Sequence, residues 1–170
     1  MNQVTRFLIA ARTWIAAPSR RGASVLSEGG MTLIELLAVM AIIGMLSALA
    51  LPKYQQIVEQ ARIARATGDI EAIQMDLMTS DTLPDDLGVI GRATMLDPWG
   101  RPFVYNKFPP NRRVPPGARR DRFLVPINSD FDLYSVGMDG RSNPPLQAAA
   151  SRDDVIRGND GGFIGLATKF

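Results

Sequence analysis

Glu35 is the side chain whose surroundings most constrain its chemistry. It is the one charge in the stretch from Met31 to Leu51, about 21 residues that are otherwise apolar or small. As a helix rising ~1.5 Å per residue, that stretch spans roughly 32 Å, close to the thickness of a bilayer core. A carboxylate at the centre of such a helix costs roughly 2.5–3.5 kcal/mol, and less toward an end. Glu35 lies toward the N-terminal end, where the helix dipole favours an anion. The plain reading is that it caps its own helix at the membrane interface. Other chemistry is narrowed by what the chain lacks. There is no histidine, which excludes His-based triads and His-ligated zinc. There is no cysteine, so an exported domain must be held by packing, a metal or assembly and not by disulfides. No nucleophile–base pair or phosphate loop stands out.

The elements that position Glu35 are a polar segment of about 30 residues ending in Gly29-Gly30 and, after it, Met31-Thr32-Leu33-Ile34-Glu35-Leu36-Leu37 opening the apolar run. This arrangement resembles the class III signal of type IV pilins and type II secretion pseudopilins. The resemblance implies cleavage after Gly30 by a prepilin peptidase on the cytoplasmic side and N-methylation of the new terminus, Met31, with the apolar segment retained. Glu35 becomes the fifth mature residue, a glutamate in that family, and Pro52 just after the run also fits its pattern. Met31 stands where the family more often has phenylalanine. The resemblance implies that Glu35 pairs with the Met31 amine of a neighbouring subunit and sets the axial register of a filament.

Two other readings share the same topology. Ser19-Arg20-Arg21-Gly22 faintly resembles a twin-arginine signal, with Ala48-Leu49-Ala50 as a cleavage site, although Glu35 would interrupt its apolar region. A plain transmembrane anchor is the other. In all three, Arg6, Arg12, Arg20 and Arg21 precede the run and keep the N-terminus cytoplasmic.

Beyond residue 51 about 119 residues remain, enough for one small domain. The formal charge of +2 conceals a split, because residues 1–30 carry four Arg and one Glu, which leaves the remainder slightly acidic. The basic balance is therefore weak support for a nucleic-acid partner. After Pro52, Ile63, Ala66, Ile70, Ile73 and Leu77 recur at alternating spacings of 3 and 4 and predict one core-facing helical stripe running to about Thr79. Gly44 and Pro52 are soft points, and Thr82-Leu83-Pro84 ends the helix.

Asp97-Pro98-Trp99-Gly100-Arg101-Pro102 predicts a turn and Phe103-Val104-Tyr105 a strand. Residues 107–122 are rich in Pro and Arg, with Lys107, Arg112, Arg113, Arg119, Arg120 and Arg122. They could contact phosphates but lack interleaved aromatics, and a solvated surface loop is the favoured reading. Phe123-Leu124-Val125 predicts a short strand. Phe131 to Val136 predicts a better one, with Phe131, Leu133 and Ser135 on one face. Residues 141–152 read as loop, and Asp139-Gly140 and Asp160-Gly161 as turns.

Two motifs narrow the resemblance. Asp97 to Tyr105 looks like the DPWG-NPY-x-Y segment of major pseudopilins, and Phe131 to Gly140 like their FDLYSLGADG segment. The Arg/Pro insertion and the tail after Asp154 depart from the usual pattern. In that family the loop after the second motif binds calcium, and the resemblance places it on Asp139 with Asp153 or Asp154. Calcium takes hard oxygen ligands and tolerates irregular loops. An EF-hand is excluded, since Leu133 follows Asn128, Asp130 and Asp132 where a glycine is required.

The expected fold is α+β, a long N-terminal helix, transmembrane in its first half, packed on a small antiparallel sheet of three or four strands. The expected division is a leader at 1–30, a transmembrane and filament-core helix at 31–51, an amphipathic continuation at 52–80 and a small β-rich periplasmic domain at 81–170. The resemblance implies a structural, non-enzymatic subunit of the inner membrane that polymerises into a periplasmic pseudopilus and drives protein export. Its implied partners are other copies of itself, the prepilin peptidase, minor pseudopilins and an inner-membrane assembly platform. A type IV pilin and a membrane-anchored domain that never polymerises are the alternatives.

Overall fold

The computed structural model describes residues 30–111 and 113–170. The leader through Gly29, with its arginines and twin-arginine resemblance, and Arg112 lie outside the described residues. By its contacts the chain divides into two units, residues 1–43 and 44–170.

The described part of the first unit is the start of helix α1, which runs Leu33–Thr79. Thr32 begins it. The Glu35 amide donates to the Thr32 hydroxyl at 3.3 Å, and the Leu36 amide donates to the Thr32 carbonyl at 3.1 Å. Those two bonds satisfy donors that a helix N-terminus leaves open. Every residue from Gly30 to Gln56 is exposed.

In the second unit α1 carries Pro52, which lacks an N–H and so removes one helical bond, to the Ala48 carbonyl. The later turns bury Ala66, Ile70, Ile73 and Leu77 completely, with Ile63 partly covered, as the spacing predicts. Thr79 and Ser80 end the helix by donating their hydroxyls back to the Met75 and Asp76 carbonyls at 2.8 and 3.2 Å.

The sheet has four strands, β1 Val104–Lys107, β2 Phe131–Ser135, β3 Val155–Gly158 and β4 Phe163–Leu166. They lie in the order β1-β2-β3-β4 and every neighbouring pair is antiparallel. Val104 faces Tyr134, Tyr134 faces Ile156 and Ile156 faces Gly165. Phe131 and Leu133 from β2, Phe103 and Val155 pack on the α1 stripe. A second cluster joins Ile127, Leu146, Ile156 and Ala167, edged by Tyr134, Phe163 and Phe170. Alternate residues of β2 thus serve two apolar layers. That explains why Asp132, on the second side, is buried as fully as its neighbours.

Two sequence expectations are corrected. Phe123-Leu124-Val125 is not a strand. Asp121 and Leu124 bond each other's backbones in a tight turn, and the Phe123 side chain is fully exposed. Three apolar residues make no strand without a neighbouring edge to pair with, and Pro126 removes a further donor. The segment 107–122 is not uniformly solvated either. Ala118 and Arg119 are buried.

Candidate functional site

At the start of α1, Gly30, Met31 and Glu35 are all exposed. The hydroxyl of Thr32 makes the helix cap, and among the described residues the Glu35 carboxylate has no hydrogen-bond or ion-pair partner. A carboxylate presented among apolar side chains, with no cation of its own, is suited to accept one from outside the helix. The helix is long and apolar enough to cross a membrane, with a mean hydropathy of 2.4 over its most apolar 18 residues.

The second unit joins the two sequence motifs. Asp97 shapes the first: its Oδ1 accepts the amides of Trp99 and Arg101 at 3.0 and 2.8 Å. Its Oδ2 accepts the Ser135 hydroxyl at the end of β2 at 2.5 Å. Arg101 reaches the second motif, donating to the Gly137 carbonyl at 2.6 Å and the Met138 carbonyl at 3.2 Å. Gly137 has φ 64°, and a Cβ there would sit 2.3 Å from the Asp153 carbonyl oxygen. Only glycine allows that approach.

Asp139, Asp153 and Asp154 do not converge. The Asp139 amide donates to Asp153 Oδ2 at 2.8 Å, so these two are neighbours. Asp139 Oδ1 accepts the Arg141 amide at 2.7 Å. Asp154 is fully buried and pairs with Arg119, itself 2% exposed. The same Asp154 oxygen accepts the Ser142 hydroxyl at 2.6 Å. Asp153 lies in the turn before β3 and Asp154 directly precedes the strand, and the two carboxylates have different partners, the Asp139 amide for Asp153 and Arg119 with Ser142 for Asp154. Among the described residues no group of three or more His, Cys, Asp or Glu is placed to hold a metal.

Arg119 also donates to Ser142 Oγ and to the Asn143 carbonyl, and its guanidinium lies over the Tyr134 ring, 4.3 Å from the centroid. Its amide donates to Asp132 Oδ2 at 2.7 Å, while Asn128 donates to Asp132 Oδ1 at 2.9 Å. Burial pushes the Asp132 carboxyl above its ordinary range, against the pull of those two donors. Burial also pushes Asp154 up, opposed by Ser142 and Arg119. Asp154 Oδ1 and Arg119 Nε are buried without partners. A second arginine, Arg157, grips Asp130 with both terminal nitrogens at 2.7 and 2.9 Å. It also donates to Gln74 of α1 at 2.8 Å and stacks on Phe131. Sequence reasoning missed both arginines. The local signal for Arg119 is slight, a small Gly117-Ala118 pair within a basic run.

Comparison with known proteins bears on both units. The family model described as the prokaryotic N-terminal methylation motif matches residues 26–51. The type II secretion system core protein G of Pseudomonas aeruginosa is 34% identical over 122 residues, 67% of this chain and 86% of that protein. A fimbrial protein of Moraxella nonliquefaciens is 34% identical over 86 residues, 42% of this chain and 56% of its own length. The type IV major alpha-pilin of Moraxella bovis is 46% identical over 46 residues, covering 27% of this chain and 29% of that one. No solved structure matches. The methylation motif over the apolar helix and the similarity through most of the core protein G sequence agree with the pilin-like helix and four-stranded sheet, and the chain belongs to the major pseudopilin family of type II secretion.

Proposed function

We propose that this protein is the structural subunit of a type II secretion pseudopilus, held in the bacterial inner membrane and polymerised to drive export of folded proteins. The observation that carries the reading is the match across 86% of a type II secretion core protein G, against 56% of the fimbrial protein. The role is one of assembly and not of catalysis. The sheet domain would lie in the periplasm, with α1 as anchor and then as filament core.

Processing would follow the methylation motif, with a prepilin peptidase cutting after Gly30 and Met31 then methylated. Minor pseudopilins and an inner-membrane assembly platform are the further partners of this reading. Glu35 would meet the Met31 amine of a neighbouring subunit. Two facts support that role, the carboxylate without a partner among the described residues and the Thr32 hydroxyl that already caps the helix. An isolated carboxylate in apolar surroundings is costly, and a partnered one much less so.

The test is the intact mass and N-terminal peptide of the membrane-extracted protein. A chain beginning at methylated Met31 is expected. A chain beginning at Leu51, or one that keeps residues 1–30, would remove the basis for a filament. In a deletion strain, secreted proteins should accumulate inside the cell. Normal secretion with loss of long surface fibres would favour a type IV pilin instead.

A further inference from the structure

The resemblance implies calcium on the connection between β2 and β3, and the residues present do not fit that ion. Calcium collects about six to eight oxygen ligands. Here several oxygens of that connection already have donors from the protein. Asp154 Oδ2 accepts Arg119 and Ser142, Asp153 Oδ2 accepts the Asp139 amide, and Asp139 Oδ1 accepts the Arg141 amide. The carbonyls of Gly137 and Met138 accept Arg101, and that of Asn143 accepts both Arg119 and the Ser151 hydroxyl. Among the described residues, Asp154 Oδ1 is the buried side-chain oxygen of the connection left without a partner, and no group of three or more carboxylates gathers to hold a metal.

We infer that Arg101 and Arg119 are the resident cations of this connection, and that their guanidinium groups lock it in the place of a bound metal. Each arginine enters from a distant part of the chain, 36 residues from Gly137 and 35 residues from Asp154. Arg101 holds the near end of the connection through backbone carbonyls. Arg119 holds the far end through a carboxylate, a hydroxyl and a carbonyl. A guanidinium supplies five donors in a rigid fork. It therefore satisfies the same hard oxygens as a divalent ion, but it is covalently part of the chain and cannot be removed by a chelator. Gly140, at φ 70°, leaves the room that Arg101 needs, since a Cβ there would come within 2.6 Å of the guanidinium. The basic insertion thus acts as an internal counter-ion. This inference does not depend on whether the protein forms a pseudopilus.

The experiment is thermal melting of the full-length processed protein in detergent, in excess calcium chloride and in excess EGTA. The wild-type midpoint should differ by less than about 1 °C between the two, whereas a bound ion present at many times its dissociation constant would raise it by several degrees. Arg119→Met should lower the midpoint by about 10 °C in both buffers. If that variant does not accumulate, Arg119→Lys keeps the charge without the fork and should melt measurably below wild type, again without calcium dependence. A wild-type midpoint that rises by several degrees in calcium would overturn the inference. So would an Arg119→Lys protein that melts with the wild type.

Discussion

The Ser135 hydroxyl donates to Asp97 at 2.5 Å across 38 residues of chain, and both side chains are buried. This bond ties the turn before β1 to the end of β2. The same Ser135 oxygen then accepts the Gly137 amide at 3.2 Å, so one hydroxyl links the two sequence motifs and starts the connection that follows. Asp97→Ala should leave two turn amides and a buried hydroxyl without an acceptor. We expect a loss of about 2–4 kcal/mol, read as a fall in the urea midpoint with an unchanged slope. Ser135→Ala should cost less, about 1–2 kcal/mol.

Arg157 joins three elements, β3, the segment before β2 and α1, through Asp130, Phe131 and Gln74. Arg157→Met should destabilise the protein by about 3 kcal/mol, because it leaves Asp130 and a buried carbonyl unpaired. Gln74→Ala should cost about 1 kcal/mol. A double-mutant cycle of Arg157 with Asp130 should give a coupling energy well above the ~0.5 kcal/mol typical of exposed pairs.

The α1 stripe sets the core. Ile70→Ala and Ile73→Ala should each cost about 2–5 kcal/mol, since both side chains are fully buried in the main cluster. Met75→Ala, on the exposed face, should stay within about 0.5 kcal/mol. Chemical denaturation of the three variants checks the contrast.

Asp132 gives a pH dependence of defined sign. Burial raises its folded pKa above the ordinary value of 3.8, so the folded state holds the proton more tightly than the unfolded chain. Its contribution to stability is full below the unfolded value and is lost as pH rises through the raised folded value. Compared with wild type, Asp132→Asn should therefore gain relative stability as pH rises from about 3.8 through that window, with a constant difference above it. Urea midpoints from acid to neutral pH measure this. A difference that moves the other way would place the folded pKa below the unfolded one.

Glu35→Gln should leave cleavage and methylation intact while pseudopilus assembly fails. N-terminal sequencing and crosslinking of the membrane fraction separate the two effects.

What the sequence carried was local. The 3-and-4 spacing from Ile63 to Leu77 identifies the buried stripe, because helical burial repeats within a few residues. The alternation from Phe131 to Ser135 identifies β2 for the same reason. Arg119 and Arg157 were not legible. Each is buried because of a carboxylate more than 25 residues away, and nothing in their immediate neighbours marks that pairing. A basic, proline-rich run reads as solvated until the acid that buries one member is placed against it. Asp154 shows the converse: the resemblance implied calcium on Asp139 with Asp153 or Asp154, but the burial of Asp154 against Arg119 and Ser142 depends on residues distant in the chain. Phe123 was misread because apolar character alone does not supply a pairing edge.

The strand order also bears on the sequence of events in folding. Each strand pairs with the one made just before it, so no strand must be threaded between two that are already joined. The α1 stripe precedes all four in the chain and offers an apolar surface on which they can collect. As the chain beyond α1 is made, its sheet can therefore be built in order, β1 to β4. The unpaired edge would move along with the newest strand, and the exposure of sticky intermediates during folding would be brief.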